Sequence, residues 1–385
     1  MAHGMINVFQ PDLGEQELAA IAEVFAGRWL GYGPRTRRFE AEFAERIGVP
    51  PDRVLFLNSA TAGLFLACEL LDLMPGDEVV MPSQGFVANA NSVVAVGARP
   101  VFCDVDPRTL NPTVAHVEAA LTPRTRAVVV LHYGGYPGEV AAIAELCRSR
   151  GVALIEDAAC SISSTVDGKA CGTFGDIAMW SFDSRKIMTT GDGGVLYTRD
   201  PERARRAHRL AYHGLEDRSA FTTAGKGAAQ WWELHISEVG RRVIGNDMTA
   251  AIGSVQLARL PAFLRRRAEI ADLYTRLLAD VGGVRTPPPL PPGHTTSNYF
   301  YWVQFAGGIR DAVAQHLLER GIYTTFRYSP LHAVPVFGWE GTLPGTEEAA
   351  RTTLILPGHH GLSDDDVHLV ADELRTVVES HLVRT

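Results

Sequence analysis

The sequence predicts an α/β protein: a large domain on a parallel or mixed sheet covered by helices on both faces, followed by a smaller α+β domain. Three observations predict it. Short apolar runs alternate with segments whose apolar residues recur at helical spacing. Those runs are continuously apolar, the pattern of strands buried on both faces. The composition then shifts at the proline-rich run Thr286–Gly293, an extended connector because proline fixes φ and removes donors. At 385 residues two domains are expected, a large one over 1–260 and a small one over 261–385.

The elements follow in order. Arg53–Leu57 reads as a strand, and Thr61–Leu71 carries helical spacing. Glu78–Met81 is strand-like, Asn89–Val96 helical, Pro100–Asp104 strand-like, and Val114–Leu121 helical. Ala127–His132 is a strand, Glu139–Arg150 a helix, and Ala153–Asp157 a buried strand with a carboxylate at its C-terminal end. Ala178–Phe182 and Gly194–Thr198 complete the sheet. Asn246–Ala279 is a long helical stretch that Pro261 is expected to break or kink. Asn298–Phe305 (strand), Asp311–Arg320 (helix), Thr352–Leu356 (strand) and Asp364–His381 (helix) make the second domain.

Composition excludes several classes. The chain is 46% hydrophobic and 21% charged, ordinary for a globular protein with a large core. A net charge of −8 argues against nucleic acid or a membrane surface as partner. No apolar run is long enough to span a bilayer, and Met1–Met5 lacks the features of a secretion signal, so a cytoplasmic protein is expected. Cys68, Cys103, Cys147, Cys160 and Cys171 are scattered, reading as reduced thiols and not as a metal site.

Only three of the 36 Lys and Arg residues are lysines: Lys169, Lys186 and Lys226. A chain that writes nearly every cation as Arg keeps Lys mainly where an amine is wanted, since a Lys amine can deprotonate and form a Schiff base. Asp167–Lys169 looks like a hairpin turn and Lys226 lies in a polar loop, so Lys186 is the candidate. It falls past a strand and before the glycine-rich turn Thr190–Gly194. In sheets of this kind ligands bind beyond the carboxyl ends of the strands. Ser59–Thr61, Ser83–Phe86, His132, Asp157 and Ser181–Lys186 all fall there.

Together they supply the parts that hold pyridoxal 5′-phosphate (PLP). Lys186 offers the Schiff-base amine. Asp157 offers a carboxylate for the pyridine nitrogen, or else a helix N-cap. Ser59–Thr61 opens a helix after a strand, which suits a phosphate and equally suits a simple capping motif. Ser181 offers a hydroxyl. Phe86, taken alone, reads as core.

The run Ile155-Glu156-Asp157-Ala158-Ala159, Gly172-x-Phe174-Gly175-Asp176, Ser181-Phe182-x-x-x-Lys186 and Thr190-Gly191-Asp192-Gly193-Gly194 resembles the PLP-dependent nucleotide-sugar aminotransferases of the DegT/DnrJ/StrS family. Pro75–Val79, Phe86–Ala90, Gly97–Asp104 and Tyr328-x-Pro330-Leu331-His332 are similar to further family motifs, so the resemblance covers about Pro11 to Val378. It implies the aspartate-aminotransferase-like fold (fold type I) and a homodimer with shared active sites. It implies Lys186 as Schiff base and proton shuttle, Asp157 at the pyridine nitrogen, Phe86 stacked on the ring, and Ala60, Thr61 and Ser181 at the phosphate. Tyr328 and His332 would lie near the sugar or its nucleotide, although His332 alone reads as a satisfied loop histidine.

Some positions depart from the family pattern. Cys160 stands where Gln or His is usual beside the cofactor, Ser163-Ser164 replace Gly-Ala, Ala60 replaces a phosphate-turn Gly, and Asp192 replaces Glu. Arg242 falls where the partner subunit's phosphate-binding Asn is expected.

The segment Gly214–Asp247, with Arg218 and Trp231-Trp232, is similar to the loop of 4-aminotransferases acting on dTDP-4-keto-6-deoxy-D-glucose. Trp232 and Arg218 are therefore candidate substrate contacts, the alternative being a flap packed on the neighbouring subunit. The expected reaction is transamination of that nucleotide sugar with L-glutamate as donor, in a natural-product or antibiotic pathway. The alternatives are a cyclitol or 3-keto sugar aminotransferase and a non-catalytic PLP-holding regulatory protein. A PLP-dependent sugar dehydratase is disfavoured by Lys186, since that group carries His there.

Overall fold

The structure is a computed structural model that describes residues 4–216, 230 and 232–382. Its large sheet contains β1 (Val54–Leu57), β2 (Glu78–Pro82), β3 (Arg99–Cys103), β4 (Thr125–Leu131) and β5 (Ala153–Asp157). The hairpin β6 (Thr165–Val166) and β7 (Lys169–Ala170) intervenes before β8 (Ile177–Ser181) and β9 (Gly194–Thr198). The spatial order is β1-β9-β8-β5-β4-β2-β3. β9 is antiparallel to both neighbours and the other pairings are parallel. The remaining six strands thus point one way and end along one edge, where β9 begins. β1, β2 and β9 are buried at every position, as their continuous apolar runs require.

Helices cover both faces: α1 (Glu15–Ala26), α2 (Pro34–Ile47), α3 (Ala60–Leu70), α4 (Val87–Ala95), α5 (Val114–Ala120), α6 (Val140–Arg150) and α7 (Pro201–Leu210). The expected strand and helix boundaries in this region hold to within about two residues. α1 and α2 were not among the expected elements. α2 is half arginine and glutamate, and its apolar stripe is short, yet it buries Phe39, Phe43, Ala44 and Ile47. Phe39 packs edge-on against Phe56 and Phe182, at 5.0 and 5.6 Å between centroids, and Phe43 against Trp180 at 5.2 Å. This aromatic block backs the end of β8, from which the Lys186 loop departs.

Helix α8 (Asp247–Leu278) begins on an Asn246 cap that accepts from the Thr249 amide. It runs through Pro261 as one element, so the expected break does not occur. Pro261 is exposed, and its ring needs room only on the solvent side. The boundary expected at 260/261 falls inside this helix. Ala250, Leu260 and Phe263 join the core of the large sheet, while Ile270, Tyr274 and Leu278 join the C-terminal core. That second core lies against the antiparallel sheet of β10 (Val284–Arg285), β12 (Tyr301–Phe305) and β13 (Thr353–Leu356). The strand β11 (His294–Thr295) crosses back to pair with β6. α9 (Arg310–Glu319), α10 (Pro344–Thr352) and α11 (Asp364–Leu382) complete the chain.

The arginine run Arg265–Arg267 on α8 has the look of a solvated face, but Arg267 points inward. It is fully buried and donates to the carbonyls of Asn298, Tyr299 and Gly358 at 3.1, 3.3 and 3.0 Å. The inner side of α8 passes beneath backbone carbonyls that need donors, and Arg267 supplies them. Among the described residues no helix is long and apolar enough to cross a membrane.

Candidate active site

The strand ends converge on one pocket. Ser59, Ala60 and Thr61 follow β1, Phe86 follows β2, Leu131 ends β4, Asp157 ends β5, and Ser181 and Lys186 come from the end of β8. Asp183, Arg185 and Asp192 add charge, and Tyr299, Arg327 and Tyr328 arrive from the C-terminal part.

Lys186 is held by a tight loop. Its amide donates to the Asp183 carbonyl at 2.9 Å, while Phe182 and Thr190 are tied together by a backbone bond at 3.0 Å. Its Nζ lies 4.0 Å from Cys160 Sγ and 4.8 Å from the centre of the Tyr299 ring, with no carboxylate at ion-pair distance among the described residues. Burial works against charge on this amine, but Cys160, Tyr299, Asp157 and Asp183 outweigh it and hold it above the usual lysine range. Burial pushes the Cys160 thiol up, and the Lys186 ammonium beside it pulls it partly back. The Tyr328 hydroxyl, also raised by burial, bonds to that sulfur.

Asp157 is 2% exposed. Asn89 Nδ2 donates to one of its oxygens at 2.9 Å, and the Ala159 amide to the other at 3.1 Å. Each oxygen keeps a lone pair for a donor in the pocket. The capping alternative is therefore met in part, by the Ala159 bond, without using up the carboxylate.

Ser59 caps α3 by accepting from the Ala62 amide at 3.1 Å. The amides of Ala60 and Thr61 open the helix and have no intrahelical partner, so this end is suited to an anion. A Cβ on Gly194 would lie 2.3 Å from the Ala60 nitrogen, so β9 can begin this close to α3 only as glycine. Phe86 is 43% exposed and not core. Its ring lies 5.5 Å from that of Tyr328.

The remaining expected site residues lie elsewhere. His332 is mostly buried outside the pocket lining, with its Nδ1 2.7 Å from Ser83 Oγ and its Nε2 3.5 Å from Glu347. It fastens its loop to the end of β2, as its local sequence suggested. Arg242 is exposed, lies over the Tyr212 ring at 5.1 Å and does not line the pocket of its own chain. Trp232 is 61% exposed and also outside the lining. Arg218 lies outside the described residues, as do Trp231 and Lys226. Lys169 caps the expected hairpin over the Phe174 ring at 4.4 Å.

Sequence reasoning missed Tyr299 and Arg327, and it placed His132 at the ligand crevice, whereas His132 lies outside the pocket lining and pairs with the buried Glu156. The pair meets at 2.9 Å, and Glu156 also accepts from the amides of Gly172 and Gly175, which fixes the strand that carries Asp157.

The profile of the DegT/DnrJ/EryC1/StrS aminotransferase family matches residues 11–375. The chain belongs to this family. It is 61% identical over 378 residues, 98% of both chains, to a dTDP-4-dehydro-2,3,6-trideoxy-D-glucose 4-aminotransferase of Saccharopolyspora spinosa. It superposes on the aminotransferase TlmJ of Streptoalloteichus hindustanus with a TM-score of 0.93 and 59% identity, over 98% of this chain and 100% of that one. The putative sugar aminotransferase Spr1654 of Streptococcus pneumoniae, solved in PLP and PMP forms, gives TM-scores of 0.89 and 0.90 at 25% identity over 97–98% of this chain and 99% of that one. The fold is thus the aspartate-aminotransferase-like fold expected from the motifs, and the chain is a PLP-dependent sugar aminotransferase.

The residues present fit that cofactor. Lys186 has no salt bridge to surrender, Asp157 keeps acceptor capacity toward the pocket, and the α3 amides face it beside the Ser181 hydroxyl. Phe86, half-exposed, lines the same pocket.

Proposed function

We propose that the chain transfers an amino group from L-glutamate to C4 of a dTDP-linked 4-keto-6-deoxyhexose, for natural-product glycosylation. The 61% identity to a 4-aminotransferase named for such a sugar, along the full length of both chains, carries this reading. The loop resemblance favoured dTDP-4-keto-6-deoxy-D-glucose itself. The relative's sugar lacks oxygen at C2 and C3 as well, which favours the more deoxygenated substrate.

Bound PLP supplies an electron sink that acidifies the carbon next to the donor's amine. In this reading Lys186 would hold the cofactor through its amine, and Lys186 Nζ would move the proton at the donor's Cα. Asp157, steadied by Asn89, keeps the cofactor's ring nitrogen protonated. Ala60, Thr61 and Ser181 would bind the phosphate and Phe86 would pack on the ring, with Cys160 and Tyr328 beside Lys186.

The reading includes a cytosolic homodimer with shared sites. Trp232, Leu234, Ile236 and Val239 are 61–95% exposed on one segment, more apolar surface than a lone chain gains by showing. Arg242 would then contribute through the assembled dimer.

The test offers the protein dTDP-4-keto-6-deoxy-D-glucose, its 2,3-dideoxy counterpart and a ketocyclitol, each with glutamate, and reads the products by mass and proton NMR. A 4-amino product from either nucleotide sugar supports the reading, and the better kcat/KM selects between them. Amination at C3, or of the cyclitol alone, rejects it.

A further inference from the structure

Two arginines line the pocket, and they differ in what they are committed to. Arg185 already has a carboxylate, with Nε 3.7 Å from Asp183. Arg327 makes no ion pair and donates no hydrogen bond among the described residues. Its Cζ lies 4.7 Å from the centre of the Phe9 ring. A guanidinium resting on an aromatic face keeps its N–H edge free for a planar anion.

Its place is fixed from below. Gln84 Nε2 donates to the Arg327 and Tyr328 carbonyls, both at 3.0 Å, and the buried Tyr133 hydroxyl donates to the Arg327 carbonyl. The Leu331 amide bonds to Ser83 at 3.0 Å, tying the same loop to the end of β2. The backbone is therefore pinned while the charged head is not.

The charges of the pocket assign the rest. In the reading proposed above Asp157 would serve the cofactor's ring nitrogen and Lys186 its aldehyde, while Arg185 is paired with Asp183. Arg327 remains as the unspent positive charge. It lines the same pocket as Lys186, and two stacked rings, Phe9 and Tyr299, connect the two side chains. Phe9 and Tyr299 stack at 5.7 Å, and Lys186 Nζ is 4.8 Å from Tyr299. An α-amino acid carries its carboxylate on the very carbon that must reach Lys186, so an anchor for it belongs this close. The diphosphate of a nucleotide sugar is separated from a reacting C4 by the width of the ring.

We propose that Arg327 is the residue that anchors a carboxylate of the amino donor. A bidentate, charge-assisted pair would hold the donor's Cα toward Lys186. This rests on the aminotransferase reading above and names the group that selects its first substrate.

The test uses the PLP-loaded enzyme with Arg327→Gln and Arg327→Lys. Calorimetry with glutarate, a dicarboxylate with no amine to react, reads binding alone. Stopped-flow absorbance reads the glutamate half-reaction and, from the pyridoxamine-loaded form, the sugar half-reaction. Arg327→Gln is expected to weaken glutarate and lower kcat/KM for glutamate by about ten- to a hundredfold, leaving the sugar half-reaction and the Tm unchanged. Arg327→Lys is expected to recover part of the loss, because it keeps the charge and loses the fork. Unchanged glutarate binding overturns the proposal. So does a loss confined to the nucleotide sugar, which would make Arg327 a diphosphate ligand. Because glutarate binding needs no turnover, it tests Arg327 even if the sugar assignment fails.

Discussion

At the scale of single residues, the account assigns different losses to neighbouring side chains. Lys186→Ala removes the group that moves the proton, and turnover should fall by at least about 10²–10⁴-fold while some PLP is still bound noncovalently. Asn89→Ala leaves Asp157 in place with one donor fewer. A hydrogen bond to a charged group contributes about 1.5–3 kcal/mol, so PLP affinity should drop by tenfold or more in an equilibrium titration. His360 offers a test unrelated to catalysis. It stacks on Phe263 at 4.0 Å, both ring nitrogens lack partners among the described residues, and burial with Arg267 nearby pushes its pKa down to about 3. Below about pH 6.5 the unfolded chain takes up a proton there that the folded chain refuses until about pH 3. Stability should therefore fall with decreasing pH across that window, and His360→Phe should flatten the slope of Tm against pH. Lys186 and Asp157 were legible because each stands at a strand end inside a recognisable run. Tyr299 was not, because nothing within its segment shows that it returns to the large sheet, and Arg327 was passed over although it adjoins the motif residue Tyr328.

At the scale of elements, the sheet strands were legible because burial on both faces leaves no alternative to continuous apolar runs. α1 and α2 were not, since α2 buries its few aromatics against a block assembled from distant strands. Pro261 shows the converse error. Proline's local cost predicted an interruption, but packing on two cores keeps α8 continuous. That cost is still carried, so Pro261→Ala should raise stability by up to about 3 kcal/mol without changing activity. A lower Tm would show that the helix needs its proline. Gly194→Ala should act on the cofactor instead. The added methyl would meet the backbone of Ser59 and Ala60 and push the start of α3 out of place. PLP should then dissociate at least about tenfold more readily, with the fold retained.

At the scale of the whole molecule, the parts converge because six strands end on one edge while the C-terminal part folds back across it. The crossing strand β11, the Arg267 bridge to Tyr299 and the Gln84 clamp on Arg327 hold that part down. The central claim is that this pocket runs both halves of a transamination through Lys186. The most direct test records the absorbance of the PLP-loaded protein as L-glutamate and then a dTDP-4-keto-6-deoxy sugar are added, with Lys186→Ala alongside. The account predicts that the band of bound PLP disappears with glutamate and returns with the sugar, and that the variant does neither at a comparable rate. A band that ignores glutamate, or a variant that cycles as fast as the parent, would contradict it.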